Sequence, residues 1–275
     1  MNDTRLPLLI EPEQLLSAKE SPDLVIVDLC KAETYAQAHI PGAIHIEYSH
    51  IVTSSPPVMG LVPDKDHLAT LMSQSGIKPG DTLVAYDDEG GGKAARFIYT
   101  LDIIGHKKYA LLNGGLHAWA NEGHPLESSP NKKPPSEYAI SISTSPVATK
   151  DYIQSHLGTS EVQVVDARSP EEYQGTKKFA ARGGHIPGAI NLDWVNLMNP
   201  QRNLRLKNSD ELKEMLQTLG LSYDKPTVVY CQTHHRSALT YFALKNLGFT
   251  DVKGYPGSWS EWGNSTDTPI ETGLN

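Results

Sequence analysis

Two rhythms alternate along this chain. Short runs rich in branched and aromatic residues, Val25-Ile26-Val27-Asp28, Thr82-Leu83-Val84-Ala85-Tyr86, Val162-Gln163-Val164-Val165-Asp166 and Pro226-Thr227-Val228-Val229-Tyr230, read as strands buried on both faces. Between them apolar positions recur at helical spacing. Leu68, Leu71 and Met72 with Ile77 form one such set, and Leu212, Met215 and Leu216 with Leu219 another; each is followed by a glycine able to end a helix. Strands spaced by helices predict an α/β fold in which a central parallel sheet carries helices on both faces, with ligand chemistry at the carboxyl ends of the strands.

The pattern also repeats. His39-Ile40-Pro41-Gly42-Ala43-Ile44 returns as His185-Ile186-Pro187-Gly188-Ala189-Ile190, Tyr35 as Tyr173, Gly76 as Gly220, Gly105 as Gly248, and Gly114 with Trp119 as Gly257 with Trp262. Order and spacing hold except for eight extra residues between Tyr173 and His185. A polar, proline-rich stretch around Glu127 to Ser136 separates the copies. The expected organisation is a first domain over 1–130, a linker over 131–144 and a second domain over 145–275.

Composition narrows the function classes. With 24 basic against 32 acidic residues the net charge is -8, which argues against nucleic acid or an anionic membrane as a partner. The two cysteines are far apart and lack metal-ligand spacing, so neither a disulfide framework nor a metal site is expected, and a reducing compartment is the simplest setting. Residues Met1 to Ile10 include an acid and a proline, and their apolar run is too short for a secretory signal. No segment approaches the roughly 18 apolar residues of a membrane helix. A cytoplasmic protein is expected.

Cys231 is the residue with chemistry. It lies where the run ending at Tyr230 passes into the loop Gln232-Thr233-His234-His235-Arg236 and then into an apolar helical stretch. Turn amides, the positive end of the following helix and a nearby guanidinium all favour a thiolate. The helix alone moves a free-thiol pKa near 8.5 by about one unit, so Arg236 and the loop amides must supply the rest. Aligning the copies sets Asp87 opposite Cys231 and Asp88-Glu89-Gly90-Gly91-Gly92 opposite the loop, so catalysis is assigned to the second domain alone.

The duplication acts as an internal control. Residues found in both copies, namely His39 and His185, Asp28 and Asp166, and Trp119 and Trp262, read as structural, and Cys30, with no basic loop beside it, as a buried inert thiol. Candidates specific to the second copy are Cys231 as nucleophile, Arg236 and Arg182 as anion-binding groups, and Gln232, Thr233, His234 and His235 as the rest of the substrate-holding loop. The cluster Arg202, Arg205 and Lys207 adds one-sided positive charge suited to a negatively charged substrate.

Taken together, the paired His-Ile-Pro-Gly-Ala motifs, the Gly114 to Trp119 element with its partner Gly257 to Trp262, and a single cysteine loop in the second half resemble tandem-domain rhodaneses over nearly the whole chain. The resemblance implies two tandem rhodanese-like domains, the first inactive with aspartate at the cysteine position. It also implies a sulfurtransferase that carries sulfane sulfur as a Cys231 persulfide, with no metal or organic cofactor. The loop departs from Cys-Arg-Lys-Gly-Val-Thr of vertebrate thiosulfate users and from Cys-Gly-Ser-Gly-Val-Thr of mercaptopyruvate users; it resembles a bacterial subgroup with histidines and a terminal arginine. Pro187 stands where the vertebrate type has an arginine, which leaves substrate binding to Arg182 or Arg236. Thiosulfate is the expected donor, cyanide or a thiol the acceptor, and a monomer the expected state. The alternatives are a sulfur carrier feeding iron-sulfur or selenium pathways, a mercaptopyruvate sulfurtransferase, and a thiolate phosphatase or arsenate reductase. The last is disfavoured because Cys231 and Arg236 are separated by four residues, where those loops have five.

Overall fold

The structure, a computed structural model, describes residues 6–273. The first five residues of the N-terminal stretch read above, and the last two of the expected second domain, lie outside the described residues.

In the first repeat the elements are β1 (Leu9–Ile10), α1 (Pro12–Ala18), β2 (Leu24–Asp28), α2 (Ala32–Gln37), β3 (Ile44–His45), β4 (Thr53–Ser55), β5 (Val58–Leu61), α3 (Lys65–Gln74), β6 (Thr82–Tyr86), α4 (Gly92–Ile103), β7 (Tyr109–Leu112) and α5 (Gly115–Asn121). In the second they are α6 (Lys150–Ser155), β8 (Gln163–Asp166), α7 (Pro170–Gln174), β9 (Ile190–Asn191), β10 (Met198–Asn199), β11 (Arg205–Leu206), α8 (Ser209–Thr218), β12 (Thr227–Tyr230), α9 (Arg236–Asn246), β13 (Val252–Gly254) and α10 (Ser258–Trp262).

Each predicted strand run becomes a strand of a parallel sheet. The first sheet has the order β1-β7-β6-β2-β3 and the second β13-β12-β8-β9. The counterpart of β1 in the second sheet shrinks to one parallel bridge between Val147 and Gly254. All four residues of β12 are buried, as a strand covered on both faces requires. The two predicted amphipathic helices form as α3 and α8. Asp64 caps α3 by accepting from the His67 amide, and Asn208 with Glu211 makes a capping box on α8. Gly76 and Gly220, at φ 68° and 75°, turn the chain out of these helices in the left-handed region that glycine enters freely.

The chain divides into two compact units. Unit 1 runs from the described N-terminus to Ile51 and adds Pro63–Ser143 and Asn199–Leu206. Unit 2 holds Val52–Val62, Thr144–Met198 and Lys207 onward. A cut at the 131–144 linker therefore misses two segments, because each repeat lends one to the other unit. The reason is tertiary. Arg205 pairs with Glu11 at 2.7 Å and Glu122 at 2.6 Å while the Leu206 amide donates to Asn113 at 2.9 Å, so 199–206 belongs with unit 1. The β4–β5 hairpin joins unit 2 through contacts with the cysteine loop described below.

The tryptophans fill the cores, as their presence in both copies suggests. Trp119 is fully buried and donates its indole N–H to the Pro125 carbonyl at 2.7 Å; Trp262 does the same to Pro269 at 2.8 Å. His39 and His185 are also fully buried. Each stacks on a tyrosine, at 3.8 Å from Tyr35 and 3.6 Å from Tyr173, and each places Nδ1 against that tyrosine's carbonyl oxygen. Identical partners in both units make these histidines fold elements.

Candidate active site

Cys231 follows β12 directly and is almost fully buried. Two contacts hold its backbone. Its carbonyl accepts the Trp259 amide of α10 at 2.9 Å, and its amide donates to Ser258 Oγ at 3.3 Å. Ser258 itself sits at φ 49°, a left-handed conformation that brings α10 close to the nucleophile.

The sulfur lies among groups that favour its anion. The Ser237 hydroxyl and the amides of Ser237 and Thr233 hydrogen-bond it, and Arg236 acts on it through charge. Burial pushes the thiol up, but the Arg236 guanidinium, the Ser237 hydroxyl and the two amides together outweigh burial and hold it below its ordinary value. Cys30 has the opposite fate: burial and then the Asp28 charge push its thiol far up, so it stays protonated.

The loop is fixed from several sides. Gln232 donates from Nε2 to the Phe179 carbonyl at 3.1 Å. His234, at φ 53° and fully buried, places Nδ1 2.8 Å from Ser237 Oγ. The ring of His235 lies 6.0 Å from that of Trp194. Against Thr233 lies the β4–β5 hairpin. Gly60, at φ 75°, approaches so closely that a β-carbon there would stand 2.0 Å from the Thr233 carbonyl oxygen. Next to it Met59 donates its amide to Ser260 Oγ of α10 at 3.0 Å.

The arginines do not all sit where the sequence places them. Arg236 opens α9, and its two terminal nitrogens clasp the Glu172 carboxylate at 2.7 and 2.8 Å. Glu172 is buried; burial raises its carboxyl, but Arg236, with the Arg168 charge and the Ser169 backbone, more than offsets this and the net direction is down. Arg236 therefore reaches the sulfur through its field while its fork is held by an acid. Arg182, expected at the donor anion, instead donates to the carbonyls of Thr268 (2.8 Å) and Trp262 (3.0 Å), to the Ser265 carbonyl and to Thr268 Oγ1. It clamps the chain beyond α10 and has its hydrogen-bonding nitrogens occupied there. The Arg202-Arg205-Lys207 cluster is split as well, because Arg205 belongs to unit 1 and is neutralised by Glu11 and Glu122.

Sequence reasoning missed Glu172, Ser237 and Arg168, the last being the partner of Asp166, which was read as structural. Arg168 donates to Asp166 from Nε at 2.9 and 3.0 Å and to the Gly184 carbonyl from Nη2 at 2.7 Å, with Trp259 stacked 4.3 Å away. The signal was present: in the aligned copies Arg168 stands opposite Cys30, Glu172 opposite Thr34 and Ser237 opposite Lys93, so all three differ between copies as Cys231 does. Among the described residues, one group, Glu13, Glu122 and His124, brings ligand atoms close enough to share a cation; it lies in unit 1, and Glu122 already pairs with Arg205. No helix among the described residues is long and apolar enough to cross a membrane.

A buried, anion-favouring thiol at the end of a parallel strand, with an aspartate at the equivalent place in a sister unit, fits the comparisons with known proteins. Residues 11–122 and 149–265 each match the rhodanese-like domain. The chain is 46% identical to a thiosulfate sulfurtransferase of Azotobacter vinelandii and 47% identical to one of Pseudomonas aeruginosa, covering 97% of each chain and of this one. It is 35% identical to the sulfur carrier protein TtuD of Thermus thermophilus, over 87% of both. Among solved structures it resembles YnjE with a TM-score of 0.88 at 21% identity, covering 98% of this chain and 69% of that one. Wild-type EanB gives a TM-score of 0.85 at 22% identity, over 98% and 70%. Both sequence and fold thus converge, and the chain belongs to the rhodanese family as a tandem of two rhodanese-like domains.

Proposed function

We propose that this protein is a thiosulfate sulfurtransferase whose nucleophile is Cys231. The observation that carries the reading is the sulfur's surroundings: two amides, a hydroxyl and a nearby guanidinium outweigh burial and favour the anion. The Cys231 thiolate attacks the outer sulfur of thiosulfate. The sulfur–sulfur bond of the donor breaks, sulfite leaves with the bonding pair, and a Cys231 persulfide remains. A thiophile such as cyanide or a thiol then takes the outer sulfur and returns the thiolate, giving ping-pong kinetics. The same cradle supports the negative charge at both stages.

In this mechanism Arg236 supplies field and Gln232, Thr233, His234 and His235 shape the cradle. Arg182 has no part in it. The steps balance without a metal or organic cofactor, and a cytoplasmic monomer is sufficient to perform them. Support for thiosulfate as donor comes from the two relatives named for it. A second reading, a sulfur carrier for which thiosulfate is incidental, is favoured by the resemblance to TtuD.

Intact mass after incubation with thiosulfate tests the reading. Wild type should gain one sulfur atom, Cys231→Ala none, and cyanide should discharge the adduct as thiocyanate. No gain in the wild type overturns it. Slow loading from thiosulfate with rapid discharge to protein thiols would favour the carrier. Phosphate release from an aryl phosphate without sulfur gain would favour a phosphatase.

A further inference from the structure

His234 of the loop and Ser237 of α9 meet beside the nucleophile. Ser237 Oγ hydrogen-bonds the Cys231 sulfur on one side, and His234 Nδ1 lies 2.8 Å away on the other. Both residues are fully buried. In the sister loop their places are taken by Gly90 and Lys93, so the pair occurs only where the cysteine does.

A serine hydroxyl has one proton and here two neighbours that can accept it. If the proton points to His234 Nδ1, the oxygen turns lone pairs toward the sulfur and favours the neutral S–H. If Nδ1 carries its own hydrogen, it donates to Ser237 Oγ, and the Ser237 proton is left with the sulfur as its acceptor, which favours the thiolate. The histidine tautomer thus decides whether Ser237 helps or opposes ionisation of Cys231.

The backbone points the same way. His234 occupies the left-handed region at φ 53°, which disfavours any residue with a β-carbon, whereas Gly90 at φ 92° fills the equivalent place without that cost. A side chain kept at a strained position and turned into the interior, against a group touching the nucleophile, marks a position where the strain serves the site.

We propose that His234 is a positioning residue: as the Nδ1–H tautomer it donates to Ser237 Oγ and so directs the Ser237 hydroxyl onto the Cys231 sulfur. This deepens the sulfurtransferase reading and rests on Cys231 being its nucleophile, but not on the identity of the donor.

The test is a double-mutant cycle read by the pH dependence of Cys231 alkylation with iodoacetamide, which requires no thiosulfate. Glycine is chosen at 234 because its backbone fits the left-handed turn. His234→Gly and Ser237→Ala should each raise the thiol pKa, slowing alkylation at pH 6 about threefold to tenfold, the size expected for one lost hydrogen bond to an anion. The double variant should be no slower than Ser237→Ala alone, because the histidine acts through the serine. Shifts that add, or a His234→Gly profile identical to wild type, overturn the proposal. A second readout needs no variant at position 234. The imidazole nitrogen chemical shifts of His234 in the wild-type protein should show a protonated Nδ1, and a bare Nδ1 overturns the proposal. If thiosulfate fails to load the protein while the alkylation cycle behaves as described, the donor assignment falls and the relay stands.

Discussion

The two repeats build the same turn around opposite chemistry. In unit 1 the strand β6 is followed by Asp87, whose carboxylate accepts the amides of Glu89 (3.0 Å), Gly91 (2.8 Å) and Ala94 (2.9 Å); in unit 2 the Cys231 sulfur is favoured as an anion by the amides of Thr233 and Ser237. Even the anchor is shared. The Leu116 amide holds the Asp87 carbonyl at 2.9 Å as the Trp259 amide holds that of Cys231. Burial raises both groups. For Asp87 the Glu89 charge adds to burial, the three amides do not compensate, and the carboxyl is held up. For Cys231 the Arg236 charge and the Ser237 hydroxyl reverse the balance, and the thiol is pulled down. An amide cradle is therefore insufficient by itself; the sign of the neighbouring charge decides whether the buried group ionises readily.

The most severe way to break this comparison is to move the nucleophile. Asp87→Cys in a Cys231→Ala background should give no sulfur gain with thiosulfate by intact mass, because the new thiol has the Glu89 charge beside it where Cys231 has that of Arg236. Transfer activity there would mean that the cradle alone suffices. Next in size is the pillar under each loop. Arg168→Leu leaves the buried Asp166 without its partner and should cost about 3–5 kcal/mol in thermal or denaturant unfolding, whereas Cys30→Ala at the matching place should cost only about 1 kcal/mol. Similar losses at the two positions would remove Arg168 as a distinctive support of unit 2.

The charge itself is sharpened by a pair of opposite shifts. Arg236→Ala should raise the Cys231 thiol pKa by about one unit, a roughly tenfold slower alkylation at neutral pH. Glu172→Gln should lower it, because the guanidinium keeps its charge and loses the acid beside it. Equal profiles for both variants would place the field elsewhere. The smallest effect concerns acid stability. The Glu172 carboxyl is depressed in the folded state, so its contribution is present above the ordinary carboxylate range and is lost as pH falls through the depressed value. Glu172→Gln should flatten this acid limb of the stability curve. In unit 1 Asp28 has the reverse sign: burial outweighs its bonds from Tyr86 and Cys30 and holds it up, so its folded form gains relative stability on acidification. Asp28→Asn should leave the acid limb at least as steep as in wild type.

Much of this was legible beforehand. The four apolar runs around Asp28, Tyr86, Asp166 and Tyr230 are strands of the two sheets, and the sets around Leu68 and Leu212 are α3 and α8. The internal comparison correctly separated His39 and His185, as stacked core residues, from the cysteine loop. The Arg182 insertion is unique to the second copy, which marks a difference between copies but not its use, and the side chain clamps the carbonyls of Thr268 and Trp262. Glu172 was overlooked because it sits 64 residues before Arg236, and no periodicity connects an acid to a guanidinium across that interval. Ser237 was passed over as one more residue of an apolar helix.

The sequence by itself determined the repeat, the parallel strands, the helices and the single cysteine loop of the second half. These follow from burial patterns and from residue identity at matched positions, which are local along the chain. Tertiary structure alone decided which acceptor each long cation finds: Glu172 for Arg236, three carbonyls and a hydroxyl for Arg182, and Glu11 with Glu122 for Arg205. It also decided that Val52–Val62 packs in the unit of Cys231, where Gly60 lies against Thr233. A guanidinium on a flexible stem satisfies whichever oxygen the fold brings within hydrogen-bonding distance, and that oxygen comes from segments whose proximity only the packed chain creates.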